Sequence, residues 1–202
     1  HYNYSSYNKW DDELFSFKPA ENATFSSQDS PGQLWGAYYK SIATVNQALA
    51  GIDKVCPDGN LSATMKAAKA EALLVRAYCH FQLVNIFAKA YKDDEASKND
   101  VGVPYVTEIE DVVSKKYDRG NVASVYEKIG KDLEAGLEMV SDVNYKTAPK
   151  YHFNINAAHA FAARYYLYKR NYEKVIDHAN EVLGTDSTSF QRMVMDLSKF
   201  EG

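Results

Sequence analysis

Tyr165-Tyr166-Leu167-Tyr168-Lys169-Arg170-Asn171-Tyr172-Glu173-Lys174-Val175-Ile176-Asp177-His178-Ala179-Asn180-Glu181-Val182-Leu183 is the stretch that decides the fold. Ala162 and the tyrosines lead into a polar corner, Lys169-Arg170-Asn171. Beyond it, Tyr172, Val175, Ile176, Ala179, Val182 and Leu183 recur at three- and four-residue steps, the period of an amphipathic helix. The pattern predicts a helix, a tight corner and a second helix from Tyr172 to Leu183. Small residues let two antiparallel helices approach closely, and aromatics fill the wedge between successive pairs. The run from Ala67 to Ala90 has the same alanine-rich, aromatic-studded make-up.

A pair of this kind resembles the tetratricopeptide hairpin, a unit of about 34 residues that serves as scaffold and docking surface. Working outward, residues 1–33 show no helical period and read as irregular chain, with one short helix near Lys9 to Phe15. Asp29, Ser30 and Pro31 offer helix-start signals. A first long helix is predicted from Gln33 to Lys54, with Trp35, Tyr38, Tyr39, Ile42, Val45, Leu49 and Ile52 as its stripe and Asn46 inside it. Cys56-Pro57-Asp58-Gly59-Asn60 breaks it. The second helix, Ser62 to Tyr91, is apolar nearly all round between Ala70 and Ala88, which makes it the central one. Gly102-Val103-Pro104-Tyr105-Val106 reads as extended, because Pro104 disfavours helix at Val103.

Asn121 is expected to cap a third helix reaching Val140, and Asn156 a fourth ending near Arg170. The tail from Gly184 holds one short helix around Arg192 to Leu197. No segment alternates as a strand would, so the chain reads as all-α: helical hairpins over 34–183, an irregular segment over 1–33, and a tail over 184–202.

The chain has 202 residues, 46% of them hydrophobic, enough for a real core. Its net charge of −4 is small and its lysines and arginines are dispersed, which speaks against nucleic acid. The longest apolar run is far short of a membrane span. His1 opens the sequence without methionine or signal-peptide core, so any secretion signal or lipid-anchoring cysteine is expected upstream. Cys56 and Cys79 read as buried thiols, and a disulfide between them would need an oxidising compartment.

No phosphate loop, nucleophile elbow or zinc-type His-Glu-x-x-His motif occurs, so no catalytic residue, metal or cofactor is expected. His152 and His159 read as structural or surface residues, and His80 as a satisfied core histidine. Glu71 and Arg76 stand in the most apolar helix and are expected to be buried, structural charges held by partners. The amide of Asn46 is expected to tie down a neighbouring backbone segment. The helix-borne aromatics follow the period and read as core. Those before residue 33 do not. Among them Trp10 and Tyr7, beside Asn8 and Asp11, offer stacking faces next to hydroxyl partners, and either ligand contact or packing under the helices is open to them.

Five segments in one order resemble the SusD/RagB family of outer-membrane nutrient-binding lipoproteins. They are Trp35, Tyr38, Ile42, Asn46 and Leu49; Glu71-Ala72-Leu73-Leu74-Val75-Arg76-Ala77-Tyr78 with Phe81 and Leu83; and Gly102-Val103-Pro104-Tyr105-Val106-Thr107. Arg119, Val122, Val125-Tyr126, Ile129 and Asp132-Leu133-Glu134-Ala135 follow, then Ala157-Ala158 with Ala162 to Tyr168 and Tyr172. Conservative departures are Ala70 where the family has glycine, Leu74-Val75 where it has Phe-Leu, and Val175 where it has alanine.

The resemblance implies a non-enzymatic, surface-exposed protein of the outer membrane, anchored by a lipidated N-terminus. Its implied partners are a SusC-like TonB-dependent transporter and a poly- or oligosaccharide. It also places the stretch before the first conserved helix, with Trp10, Tyr7, Asn8 and Asp11, on the ligand-facing side. Family members are longer, so the chain is expected to be their tetratricopeptide-like portion. A tetratricopeptide-like module that binds a protein partner is the alternative.

Overall fold

The structure, a computed structural model, describes residues 15–16, 30–110, 115–145 and 151–186. The short helices expected near Lys9 to Phe15 (Phe15 itself aside) and around Arg192 to Leu197 lie outside these residues. Five α-helices are described: α1 (Pro31–Val55), α2 (Ala63–Phe87), α3 (Val122–Leu137), α4 (Ile155–Tyr168) and α5 (Tyr172–Leu183). Among the described residues there is no strand, only one isolated bridge between Val101 and Asn121. The all-α expectation holds. None of the described helices is long and apolar enough to cross a membrane.

Chain contacts divide the molecule into two units, 1–40 and 41–202, with the boundary inside α1. In the first unit, Ser30 starts the helix: its Oγ accepts from the Gln33 N–H, and Pro31 occupies the first turn, where a missing N–H costs nothing. Trp35 packs on Tyr39 one turn later, with ring centres 4.9 Å apart.

The second unit is organised around α2. Ser62 caps it through the Met65 N–H. Its buried residues run around the whole circumference, from Ala67, Ala70 and Leu74 to Arg76, Ala77, His80, Phe81 and Val84. It ends at Phe87, short of the expected Tyr91. Ala88 turns to extended backbone, and Tyr91 leaves the helix to bury its ring against Tyr126, 4.7 Å away, while its hydroxyl donates to Asp94. Burying the aromatic ring outweighs another helical turn.

The small residues do what their spacing suggested. A Cβ on Gly136 would come within 2.7 Å of Leu74 Cγ and 3.3 Å of the Ala70 carbonyl, so α2 and α3 touch there without a side chain between them. We expect Gly136→Ala to lower stability by about 1 kcal/mol net. Overpacking costs roughly 1–3 kcal/mol, and the gain in helix propensity returns about 1. A urea midpoint equal to or above the parent's would show that Leu74 can move aside.

Asn121 caps α3 as expected, in a reciprocal capping box with Ser124. The helix stops at Leu137 rather than Val140, where Met139 bonds back three residues to Gly136. A correction applies to α4: its cap is Asn154, whose side chain accepts from the Ala157 N–H, and not Asn156. In Asn154-Ile155-Asn156 both asparagines fit the cap chemistry. The contact of the Ile155 N–H with Asp142 Oδ1 fixes the start two residues earlier. α4 ends at Tyr168, and Arg170, at φ +59°, occupies the left-handed position that usually takes glycine. Asn171 caps α5 through the Lys174 N–H. The α4–corner–α5 hairpin is thus present, but α5 buries no residue fully, and Tyr172 and Ile176 of its stripe are exposed. Cys79 is buried and Cys56 only half-buried, and both are free thiols.

Candidate functional site

The densest polar constellation lies inside the helical frame. Arg76 on α2 meets Asp132 on α3 in a two-pronged ion pair, with Nε to Oδ2 at 2.6 Å and Nη2 to Oδ1 at 2.7 Å. Nη1 donates to Asn46 Oδ1 at 3.1 Å, so all three donor-bearing nitrogens of the guanidinium are used. Burial alone would lower the affinity of Arg76 for its proton; the Asp132 carboxylate more than offsets it, and the net shift is upward. Asn46 turns its amide nitrogen to the carbonyls of Val106 and Glu108, at 3.1 and 3.3 Å. The expectation for Asn46 is met.

Tyr105 and His80 complete the clamp. The Tyr105 hydroxyl donates to Asp132 Oδ2 at 2.5 Å, and its ring stacks on His80 with centres 3.8 Å apart. Burial, then the neighbouring Asp132 charge, holds the Tyr105 phenol far above its ordinary range. The Val106 N–H donates to His80 Nε2, so Nδ1 carries the proton and donates to the Arg76 carbonyl at 2.9 Å. Asn46, His80 and Asp132, from three helices, therefore fix one segment, Tyr105 to Glu108, against the frame, and Arg76 holds Asn46 and Asp132 in place behind it. His80 is a satisfied core histidine.

Burial lowers the His80 pKa to about 4. The unfolded chain takes up this proton near pH 6.5 and the folded one not until about 4, so its contribution is complete above 6.5 and lost as pH falls between the two. We expect about 2 kcal/mol of stability to be lost through this group between pH 7 and pH 5. Urea titrations of the parent and His80→Gln check it, and an identical pH dependence of the two would show that His80 does not titrate in this window.

Glu71 is held by partners as expected, but it is half-buried rather than buried, and its partners lie apart from the Arg76 cluster. Its carboxylate instead holds the segment after α3, accepting from Tyr145 Oη (3.0 Å) and the Phe153 N–H (3.3 Å), with His152 Nδ1 at 2.9 Å. His152 and His159 are not neighbours in function: His159 on α4 faces His178 on α5.

A groove of about 950 Å³ runs beside the α4–α5 corner, lined by Tyr91, Asp94, Lys131, Glu134, Tyr166 and Arg170 among others. Tyr166 in its wall is already engaged: Lys174 covers the ring with its ammonium 4.4 Å from the ring centre and bonds Glu134 at 2.9 Å, and Tyr166 also donates to Glu134. Burial opposes ionisation of Glu134, yet these two donors hold its pKa below the ordinary value. Trp10, Tyr7, Asn8 and Asp11 lie outside the described residues. Sequence reasoning missed Asp132 and Tyr105 as partners. The available signal was a carboxylate between Ile129 and Leu133 on a buried stripe, opposite an arginine that needed a counter-charge.

The fold and sequence have known relatives. No curated protein sequence matches the chain. A SusD superfamily protein of Bacteroides thetaiotaomicron VPI-5482 is 26% identical, with a TM-score of 0.61 over 76% of this chain and 32% of that one. Another, from Bacteroides vulgatus ATCC 8482, is 25% identical with a TM-score of 0.66 over 83% and 36%. A laminarin-binding SusD-like protein, 24% identical with a TM-score of 0.58 over 77% and 30%, shares the fold. The chain spans about a third of the length of these structures. The profile of a SusD-like family described as "Starch-binding associating with outer membrane" matches residues 2–167, and with that span the chain belongs to the SusD-like family.

Proposed function

We propose that this chain is the helical portion of a non-enzymatic, surface-exposed glycan-binding protein, lipid-anchored at the outer membrane, that hands its ligand to a SusC-like TonB-dependent transporter. The observation that carries the reading is the family match over residues 2–167. In this reading residues 34–183 are the scaffold, 1–33 lead into it on the ligand side, and 184–202 lead towards a C-terminal region. The buried clamp around Arg76 supports a scaffold role, since its charged groups are aimed at one another and at backbone. The alternative of a protein-docking module draws on the groove beside the α4–α5 corner.

Trp10 is the proposed stacking residue, with Tyr7, Asn8 and Asp11 beside it. Calorimetry of the full-length protein with soluble starch and with laminarin tests this. Saturable binding without turnover is expected, and Trp10→Ala should weaken it by about 1–2 kcal/mol. An unchanged dissociation constant in a folded variant would assign Trp10 to packing. Hydrolysis of either polysaccharide, abolished by a point mutation, would overturn the non-enzymatic reading.

A further inference from the structure

His159 and His178 project from opposite members of the α4–α5 hairpin and meet with their Nδ1 atoms 3.0 Å apart. Two neutral imidazoles at this separation share one proton, one nitrogen donating and the other accepting. Neither ring is loose. Tyr166 lies parallel to His178, at 6° and 5.5 Å between centres, and the two histidine rings are 5.2 Å apart. Tyr166 is itself held by Glu134 and Lys174. Both histidines are half-buried, so solvent reaches the pair.

We propose that this pair is a two-imidazole site for a divalent transition-metal ion of the imidazole-seeking class, Zn²⁺, Cu²⁺ or Ni²⁺, which fastens α4 to α5. With metal–nitrogen bonds of about 2.0–2.1 Å, the 3.0 Å separation subtends roughly 90–100° at a shared ion. That lies between the square or octahedral angle and the tetrahedral one, and each ring turns by about 40° to aim its Nδ1 at the ion instead of along the N–N line. When the metal enters, the shared Nδ1 proton moves through solvent to the donor ring's empty Nε2, so both imidazoles stay neutral, each with its proton on Nε2 and its Nδ1 lone pair on the ion. Among the described residues no third His, Cys, Asp or Glu completes a protein-only set, so water fills the other positions. Burial, then the neighbouring His159, holds the His178 pKa below its ordinary value, which keeps the ring neutral as a ligand must be; Glu134 and Asp177 favour positive charge there and Lys174 opposes it. A hairpin whose second helix buries no residue fully gains most from such a cross-link.

Cu²⁺ is the probe, being the strongest binder of nitrogen sites in its row. The full chain, His159→Ala and His178→Ala are titrated with Cu²⁺ by calorimetry, with electron paramagnetic resonance to count nitrogen donors and circular dichroism to check folding. One equivalent bound through two nitrogens is expected in the parent, with affinity lower by about tenfold or more in each variant. Cu²⁺ should also raise the Tm of the parent and not of the variants. Absence of stoichiometric binding, or equal binding in all three folded proteins, would overturn the proposal and leave the pair as a hydrogen bond alone.

Discussion

Phe81→Ala is expected to lower folding stability by about 3–5 kcal/mol, the scale for deleting a large buried aromatic. Phe81 is 2% exposed and sits where α2, α3 and α4 meet. Its ring makes edge contacts with Tyr126, Phe161, Tyr165 and Tyr168 at centre distances of 6.1, 5.6, 6.4 and 5.0 Å. Removing it forfeits buried apolar area and the edge-to-face attraction of several neighbours at once. The surrounding rings are themselves pinned: Tyr165 donates to the Tyr126 carbonyl at 2.8 Å and Tyr126 to Asn85 at 3.0 Å. They cannot collapse into the gap, which puts the loss towards the upper end. Urea unfolding followed by circular dichroism checks it. A midpoint shift worth less than about 1 kcal/mol, the mean for an ordinary substitution, would mean that the three helices do not share one core.

Arg76→Ala is expected to cost about 2–4 kcal/mol for a different reason. The substitution removes three hydrogen bonds, but the larger effect is what it leaves behind. Asp132 is 9% exposed and would keep its charge with only the Tyr105 hydroxyl as donor, and Asn46 would lose the partner of its oxygen. The paired change Arg76→Met with Asp132→Leu removes both charges and should be much milder than either single change, because no unpaired ion remains in the interior. Chemical denaturation of the two singles and the double decides it. A double variant as unstable as the sum of the singles would show that the two side chains act independently.

The sequence carried the helical architecture because each helix writes its own period and its own end chemistry. Ser30-Pro31, Ser62 and Asn121 act at the helix starts where their local chemistry placed them, and Asn171 of the polar corner caps α5. The apolar girdle of α2 announced a central helix, and the lone amide of Asn46 announced a tether. Those are properties of neighbours three and four residues apart, which a linear reading can see. The resemblance to the SusD-like family rested on the same local signals in their order.

What the linear reading could not see was pairing across distance. Arg76 and Asp132 are separated by 56 residues and Glu71 from His152 by 81. Which carboxylate answered which cation depended on how α2, α3 and the following segment packed. The end of α2 was settled the same way, since Tyr91 left the helix to bury against Tyr126, a partner on another helix. Likewise Asn154 prevailed over Asn156 as a cap through a contact with Asp142. The existence, order and most starts of the helices were therefore determined by the sequence itself, through short-range period and capping, while the end of α2 and the start of α4 were not. Charge pairing, the clamp on Tyr105 to Glu108 and the facing histidines were decided only by the tertiary structure, because their energy comes from groups that meet solely when the helices pack.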